Sequence, residues 1–152
     1  MLQRLGIILT LLLLTGCTAN HLATHPDAYL DPLTEQEGLQ QASLVVMGGE
    51  IATLSHEGGG TRVELNRLTL TDRAYPMIHQ PIDGAKVVLL IPNRRLGGEL
   101  YRLGNYLSAV GEVVEVTEQS IGGKHYQITT LLVEDPQAIA AWYANERRFE
   151  PL

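Results

Sequence analysis

The stretch Leu44-Val45-Val46-Met47-Gly48-Gly49-Glu50-Ile51-Ala52-Thr53-Leu54 decides the fold. It opens as an apolar β-type run, is interrupted by two glycines, and resumes with Ile51, Ala52 and Leu54. A glycine pair inside a strand pattern marks a bulge or a sharp bend, the device by which barrels turn corners. Glu57-Gly58-Gly59-Gly60 then reads as a hairpin turn. A phosphate cradle would need a following lysine with serine or threonine and the start of a helix. Here a strand begins instead at Thr61-Arg62-Val63-Glu64-Leu65. Val63 and Leu65 alternate, and Leu68 and Leu70 resume in the opposite phase, which implies a bulge.

Downstream, residues 75–84 carry Pro76, Pro81 and Gly84 and read as a loop. Residues 86–91 form the most apolar run outside the N-terminus, short and β-branched, as in a strand buried on both faces. Pro92 ends it, and residues 99–103 have room for one helical turn. Residues 105–118 make the longest strand candidate, with Leu107, Ala109, Gly111 and Val113 on one face and a phase change at Val114 and Val116. Gly122-Gly123 turns the chain into a fifth strand through Tyr126, Ile128, Thr130, Leu131 and Val133. Asp135 and Pro136 then predict a helix, as N-cap and first helical position, with Ile139, Trp142 and Tyr143 on one stripe. The expected fold is mainly β, a small five-stranded antiparallel OB-like barrel or sandwich with a C-terminal helix.

The N-terminus is of another kind. Arg4 precedes a short apolar run from Leu5 to Leu14, and small residues lead to Cys17. Ten helical residues reach about 15 Å, half of a hydrocarbon core, which suits a cleaved export signal and not a span. Leu14-Thr15-Gly16-Cys17 looks like a bacterial lipobox, and Cys17 is the only cysteine of the chain. That likeness implies cleavage after residue 16 and lipidation of Cys17. Thr18, where an aspartate would favour the inner membrane, points to the outer one. Residues 1–16 are then a signal peptide. Residues 17–42 are a lipidated tether with a short helix candidate at 33–42, and residues 43–152 are the β-domain.

Composition sets limits on what that domain does. Cleavage removes one of the 11 basic residues, Arg4, and leaves 10 against 17 acidic ones. An acidic chain gains nothing from counterion release at phosphates, so nucleic acid is not an expected partner. With Cys17 taken by lipid no disulfide can form, and packing alone must hold the fold.

The chain resembles the Slp family of outer-membrane lipoproteins. The matching residues are the lipobox at Cys17, Gly48-Gly49-Glu50-Ile51, and Thr61-Arg62-Val63-Glu64-Leu65 leading to Tyr75-Pro76. The likeness continues through Gly84-Ala85-Lys86-Val87-Val88, Tyr101 to Gly104, Gly111-Glu112-Val113 and Ile121-Gly122-Gly123-Lys124-His125-Tyr126. Departures at Leu68-Thr69 and Ala85-Lys86-Val87 mark a divergent member. The resemblance implies an envelope lipoprotein without catalysis, linked to stress or stationary phase.

Catalytic and metal chemistry leave little trace. Among His21, His25, His56, His79 and His125, only the first two share i, i+4 spacing, and they lie in the Pro-containing tether. Zinc sites need three or four ligands, so no metal or cofactor is expected. No Gly-x-Ser-x-Gly elbow surrounds any serine. Lys86, Arg94, Arg95 and Arg102 form a loose basic cluster that reads first as ordinary surface charge. Tyr101, Tyr106 and Tyr126 read first as core aromatics. Together with Arg94 and Arg95 they are nevertheless the candidate ligand surface, since OB-type barrels present such rings to sugars or bases. Two functions follow: a non-catalytic lipoprotein anchored in the outer membrane through Cys17 and facing the periplasm, with an envelope protein as partner, or a module binding a glycan or small ligand.

Overall fold

In the computed structural model the chain is described over residues 29–30, 44–135 and 137–145. Seven strands make one sheet: β1 (Tyr29–Leu30), β2 (Leu44–Glu57), β3 (Gly60–Leu70), β4 (Pro76–Ile91), β5 (Tyr106–Ile121), β6 (Lys124–Leu132) and β7 (Ile139–Trp142). A single 3₁₀ turn, Glu99–Tyr101, is the only helical piece among the described residues.

The sheet runs β1-β2-β3-β4-β6-β5-β7, and a further pairing of β2 with β5 bends it into a partial ring. β2 pairs β5 through residues 44–50 and β3 through residues 49–57, so Gly49 and Glu50 have a partner strand on both sides. The glycine pair is needed there for space. A Cβ on Gly48 would lie 2.7 Å from the Leu107 carbonyl oxygen, and one on Gly49 would lie 2.8 Å from the Asn66 carbonyl carbon. The bulge falls just after the pair, between Ile51 and Thr53.

The phase changes read in the sequence are register shifts. Pairing of β3 with β4 slips between Asn66 and Leu68 and again before Leu70. Pairing of β5 with β6 slips between Val113 and Glu115. The two tight hairpins turn on glycine: Gly58 takes φ +58° between β2 and β3, and Gly122 and Gly123 take +60° and +82° between β5 and β6. Positive φ at both Gly122 and Gly123 is the requirement of a type I′ turn, whose twist matches that of the strands.

Three expectations are corrected. The sheet is mixed and not wholly antiparallel, because β4 and β6 pair in parallel from Ala85↔Gln127 to Leu90↔Leu132. Residues 76–84 are not a loop but the first half of β4, where Leu68 faces Pro81 and Leu70 faces Pro76. Proline gives no ladder N–H, so that half pairs irregularly. The expected C-terminal helix over Ile139, Trp142 and Tyr143 is replaced by β7, which pairs with β5 from Tyr106↔Trp142 to Ala109↔Ile139. Asp135 caps no helix: its Oδ1 accepts from Gln137 N at 2.9 Å and its carbonyl from Ala138 N at 3.0 Å, a turn that delivers the chain to the β5 edge. Pro136 and the helix candidate at 33–42 lie outside the described residues.

The core sits inside the ring. Val63, Leu65, Val87, Leu89, Ile91, Leu107, Val113 and Leu131 are almost wholly buried. Each such side chain contributes about 1.5–3 kcal/mol of apolar burial, in the absence of any disulfide. The long 92–105 connection is pinned over one end by two polar residues. The buried Thr61 hydroxyl donates to the Arg94 carbonyl and accepts from Leu96 N, both at 2.8 Å. Asn105 Nδ2 donates to the carbonyls of Glu99 and Leu100 at 2.9 and 3.1 Å, while its Oδ1 accepts from Ala144 N at 3.0 Å.

Three alanine substitutions separate steric from conformational roles. Gly49→Ala forces a methyl into the Asn66 carbonyl and should cost at least about 3 kcal/mol, in the upper range for overpacking. Gly104→Ala meets no atom within 4 Å but sits at φ +86°, and should cost about 1–2 kcal/mol. Gly97→Ala, with neither constraint, should be within about 0.5 kcal/mol of wild type. Urea unfolding monitored by circular dichroism gives the order directly, and an equal cost at all three positions would refute the steric account of Gly49.

Candidate functional site

Beyond their bulges, β3, β4, β5 and β6 turn one face outward and form a groove of ≈ 270 Å³. The period-two alternation of each strand places its residues. Val63 and Leu65 point inward, so Arg62 and Glu64 point out; Val87 and Leu89 point inward, so Lys86 and Val88 point out. Ile128 and Thr130 come from β6, and Glu115, Thr117, Gln119 and Ile121 from β5. The bulge between Val113 and Glu115 puts the β5 set on this face.

The polar groups of the groove hold one another. Arg62 Nη1 donates to Glu64 Oε1 at 2.5 Å, and Lys86 Nζ donates to Asn66 Oδ1 at 3.0 Å. Lys86 also lies 5.1 Å from the centroid of the Tyr126 ring, which Lys124 approaches to 5.5 Å. Lys124 is in turn ion-paired to Asp83. That hydrogen bond and charge hold the Asp83 carboxyl below the usual carboxylate range and push the Lys124 ammonium up.

The five residues expected to form a ligand surface do not come together. Tyr126 stands beside the groove, paired with Gln119 at the far end of β5. Tyr106 is at the opposite end of the same strand, about 40 Å away along the chain contour. It is 8 % exposed. Tyr101 and Arg94 meet in the 92–105 connection, where the Arg94 Nη2 donates to the Tyr101 hydroxyl at 3.4 Å. Arg95 Nη1 donates to the Gly58 carbonyl at 2.9 Å and so ties that connection to the first hairpin. Sequence reading missed the groove because its members, polar residues and the apolar Val88, Ile121 and Ile128, are scattered over four strands. Only their shared outward phase signals them.

The histidines are dispersed: His56 is 3.3 Å from Thr61 Oγ1 and His125 is 3.0 Å from Ser120 Oγ. No cluster of three or more histidine, cysteine or acidic residues able to hold a metal occurs among the described residues. His21, His25 and the whole Leu14-Thr15-Gly16-Cys17 stretch lie outside them.

Tyr106 offers a measurable consequence of its placement. Burial raises its phenol pKa above the usual 10.0, and the nearby Glu50 carboxylate adds to the effect. The folded state therefore holds this proton more tightly than the unfolded one. The associated stability is complete below about pH 10 and is lost as pH rises toward the folded-state value. An absorbance titration at alkaline pH should show one late-ionising tyrosine that Tyr106→Phe removes; a Tyr106→Phe titration with the late phase intact would refute the placement.

No curated protein and no solved structure matches the chain. The family model for the outer membrane lipoprotein Slp family matches residues 14–151, from within the N-terminal Leu14-Thr15-Gly16-Cys17 stretch to the penultimate residue. With nearly its whole length inside that match, the chain belongs to the Slp family of outer membrane lipoproteins.

Proposed function

We propose that this protein is a non-catalytic lipoprotein held in the outer membrane by acyl chains on Cys17, with its β-domain facing the periplasm. In this reading residues 1–16 are removed as a signal peptide and residues 17–42 tether the domain. The domain then maintains the envelope, under stress or in stationary phase, through contacts with other envelope components. The observation that carries it is the extent of the family match, which begins at Leu14 and so takes in the lipobox-like stretch with the domain. The chain's only cysteine stands where lipidation requires one. No described helix is long and apolar enough to cross a membrane. Two or more acyl chains would hold it stably, at about 0.8 kcal/mol per buried methylene.

The ring itself we read as an OB-type barrel. Five strands, β2-β3-β4-β6-β5, return to β2, and β5 and β6 cross so that β6 lies between β4 and β5. Small barrels of this kind bind ligands on a strand face and its loops. The groove favours a second reading on that ground, in which the anchored domain is a glycan or small-ligand binding module.

Replacing Cys17 with serine tests the anchor. Cells expressing wild-type protein should incorporate a palmitate analogue into it and yield it in the outer-membrane fraction. Cys17→Ser should lose the label and leave that fraction. Continued labelling of the variant would end the lipidation claim, and wild-type protein confined to the inner membrane would end the sorting claim.

A further inference from the structure

We propose that the outward groove across β3, β4, β6 and β5 is a binding site for a neutral saccharide of one or two rings. The proposal rests on the second reading above, the ligand-binding module, and gives it a place and a ligand class.

Charge comes first. Arg62 and Lys86 are the cations of the groove, and Glu64 and Glu115 its anions, so the lining is balanced. Arg62 is already spent on Glu64, and Lys86 on Asn66 and the Tyr126 ring. An anionic ligand would find no surplus positive charge and would meet Glu115. A cationic ligand would meet Arg62 and Lys86. The groove suits a ligand without net charge that both donates and accepts hydrogen bonds.

A sugar hydroxyl does both. Glu115 accepts, Gln119 donates and accepts through its amide, and the hydroxyls of Thr117 and Thr130 do the same. Beneath them Val88, 5 % exposed, and the half-buried Ile128 give an apolar floor for the C–H face of a pyranose ring. The Arg62–Glu64 and Lys86–Asn66 contacts fix their side chains before any ligand arrives, which lowers the entropy lost on binding. The volume, ≈ 270 Å³, is near the lower end of small-molecule sites and limits the ligand to one or two rings. An extended peptide is a poorer occupant. It gains affinity by pairing its backbone with a free sheet edge, whereas this groove lies on a sheet face whose backbone groups are already paired.

The test uses full-length protein purified in detergent micelles and titrated with chitobiose, cellobiose, maltose and inorganic phosphate, followed by saturation-transfer NMR and calorimetry. At least one neutral disaccharide should bind saturably, with a dissociation constant of about millimolar order. Glu115→Ala and Gln119→Ala, both at exposed positions, should each weaken it by about tenfold, while Arg95→Ala, at the first hairpin, should not. Saturable sugar binding that survives both groove variants would overturn the groove and leave the ligand-binding reading intact. Saturable binding of phosphate alone would overturn the neutral-sugar class while keeping a ligand site. No saturable binding of any probe would overturn this proposal, and the palmitate labelling of Cys17 would still decide the anchor independently.

Discussion

The structure depends on one crowded place, where β2 passes between β3 and β5 at Gly48-Gly49. Backbone from both neighbours presses on it so closely that a methyl group would collide on either side. At Gly49 and Glu50 the strand is paired on both edges at once, where its pairing with β5 over residues 44–50, which bends the sheet into a partial ring, meets its pairing with β3. Neither glycine has a positive φ, so the demand is for volume and not for backbone freedom. Other small residues repeat the device: Gly60 against the Ile91 carbonyl and Gly111 against Leu131. Removing side chains at the joints lets the rest of the strands carry large ones.

Much of this was legible because period-two patterning is local. The phase slips at Leu68, Val114 and Val116 could be read from the order of apolar residues, and each coincides with a register shift. What could not be read was decided by partners distant in sequence. Asp135, Ile139, Trp142 and Tyr143 have the spacing of a short amphipathic helix, yet β7 is four residues long. The open edge of β5 instead supplies ladder partners from Tyr106 to Ala109, and Trp142 packs edge-on against Tyr75 at 5.4 Å. The prolines of residues 76–84 likewise read as a loop, because nothing local shows that β3 would pair with them.

The candidate site was less legible than the fold, for a related reason. Conspicuous residues such as Arg94, Tyr101 and Tyr106 attract notice in a sequence, but their roles are internal. Arg94 meets Tyr101 within one connection, and Tyr106 closes a buried corner under β7. Asn105 looked like an ordinary strand start. Its amide nonetheless ties the 3₁₀ turn to the segment after β7, and its carbonyl accepts from Ile51 N at 2.8 Å. A residue that joins three parts of the chain carries no local mark of doing so.

The bulge between Val113 and Glu115 also explains why one sheet has two unlike outer faces. Before it, residues 106–111 are buried on both sides. The turn at Thr71 covers them, with Ala74 held at φ 61° so that its carbonyl accepts from Ser108 Oγ at 3.0 Å, and Ala138 receives Val110 N at 2.9 Å. After it no such cover lies over β5 among the described residues, and its outward residues are exposed from Glu115 to Ile121. Apolar side chains there would make a sticky patch of the kind that drives association. Glu115, Thr117 and Gln119 occupy those positions, opposite Thr130, Ile128 and Tyr126 of β6. A bare sheet face furnished with paired polar groups costs little to keep in water. It also leaves donors and acceptors on the surface, so the same bulge that ends the covered half of β5 opens the polar groove.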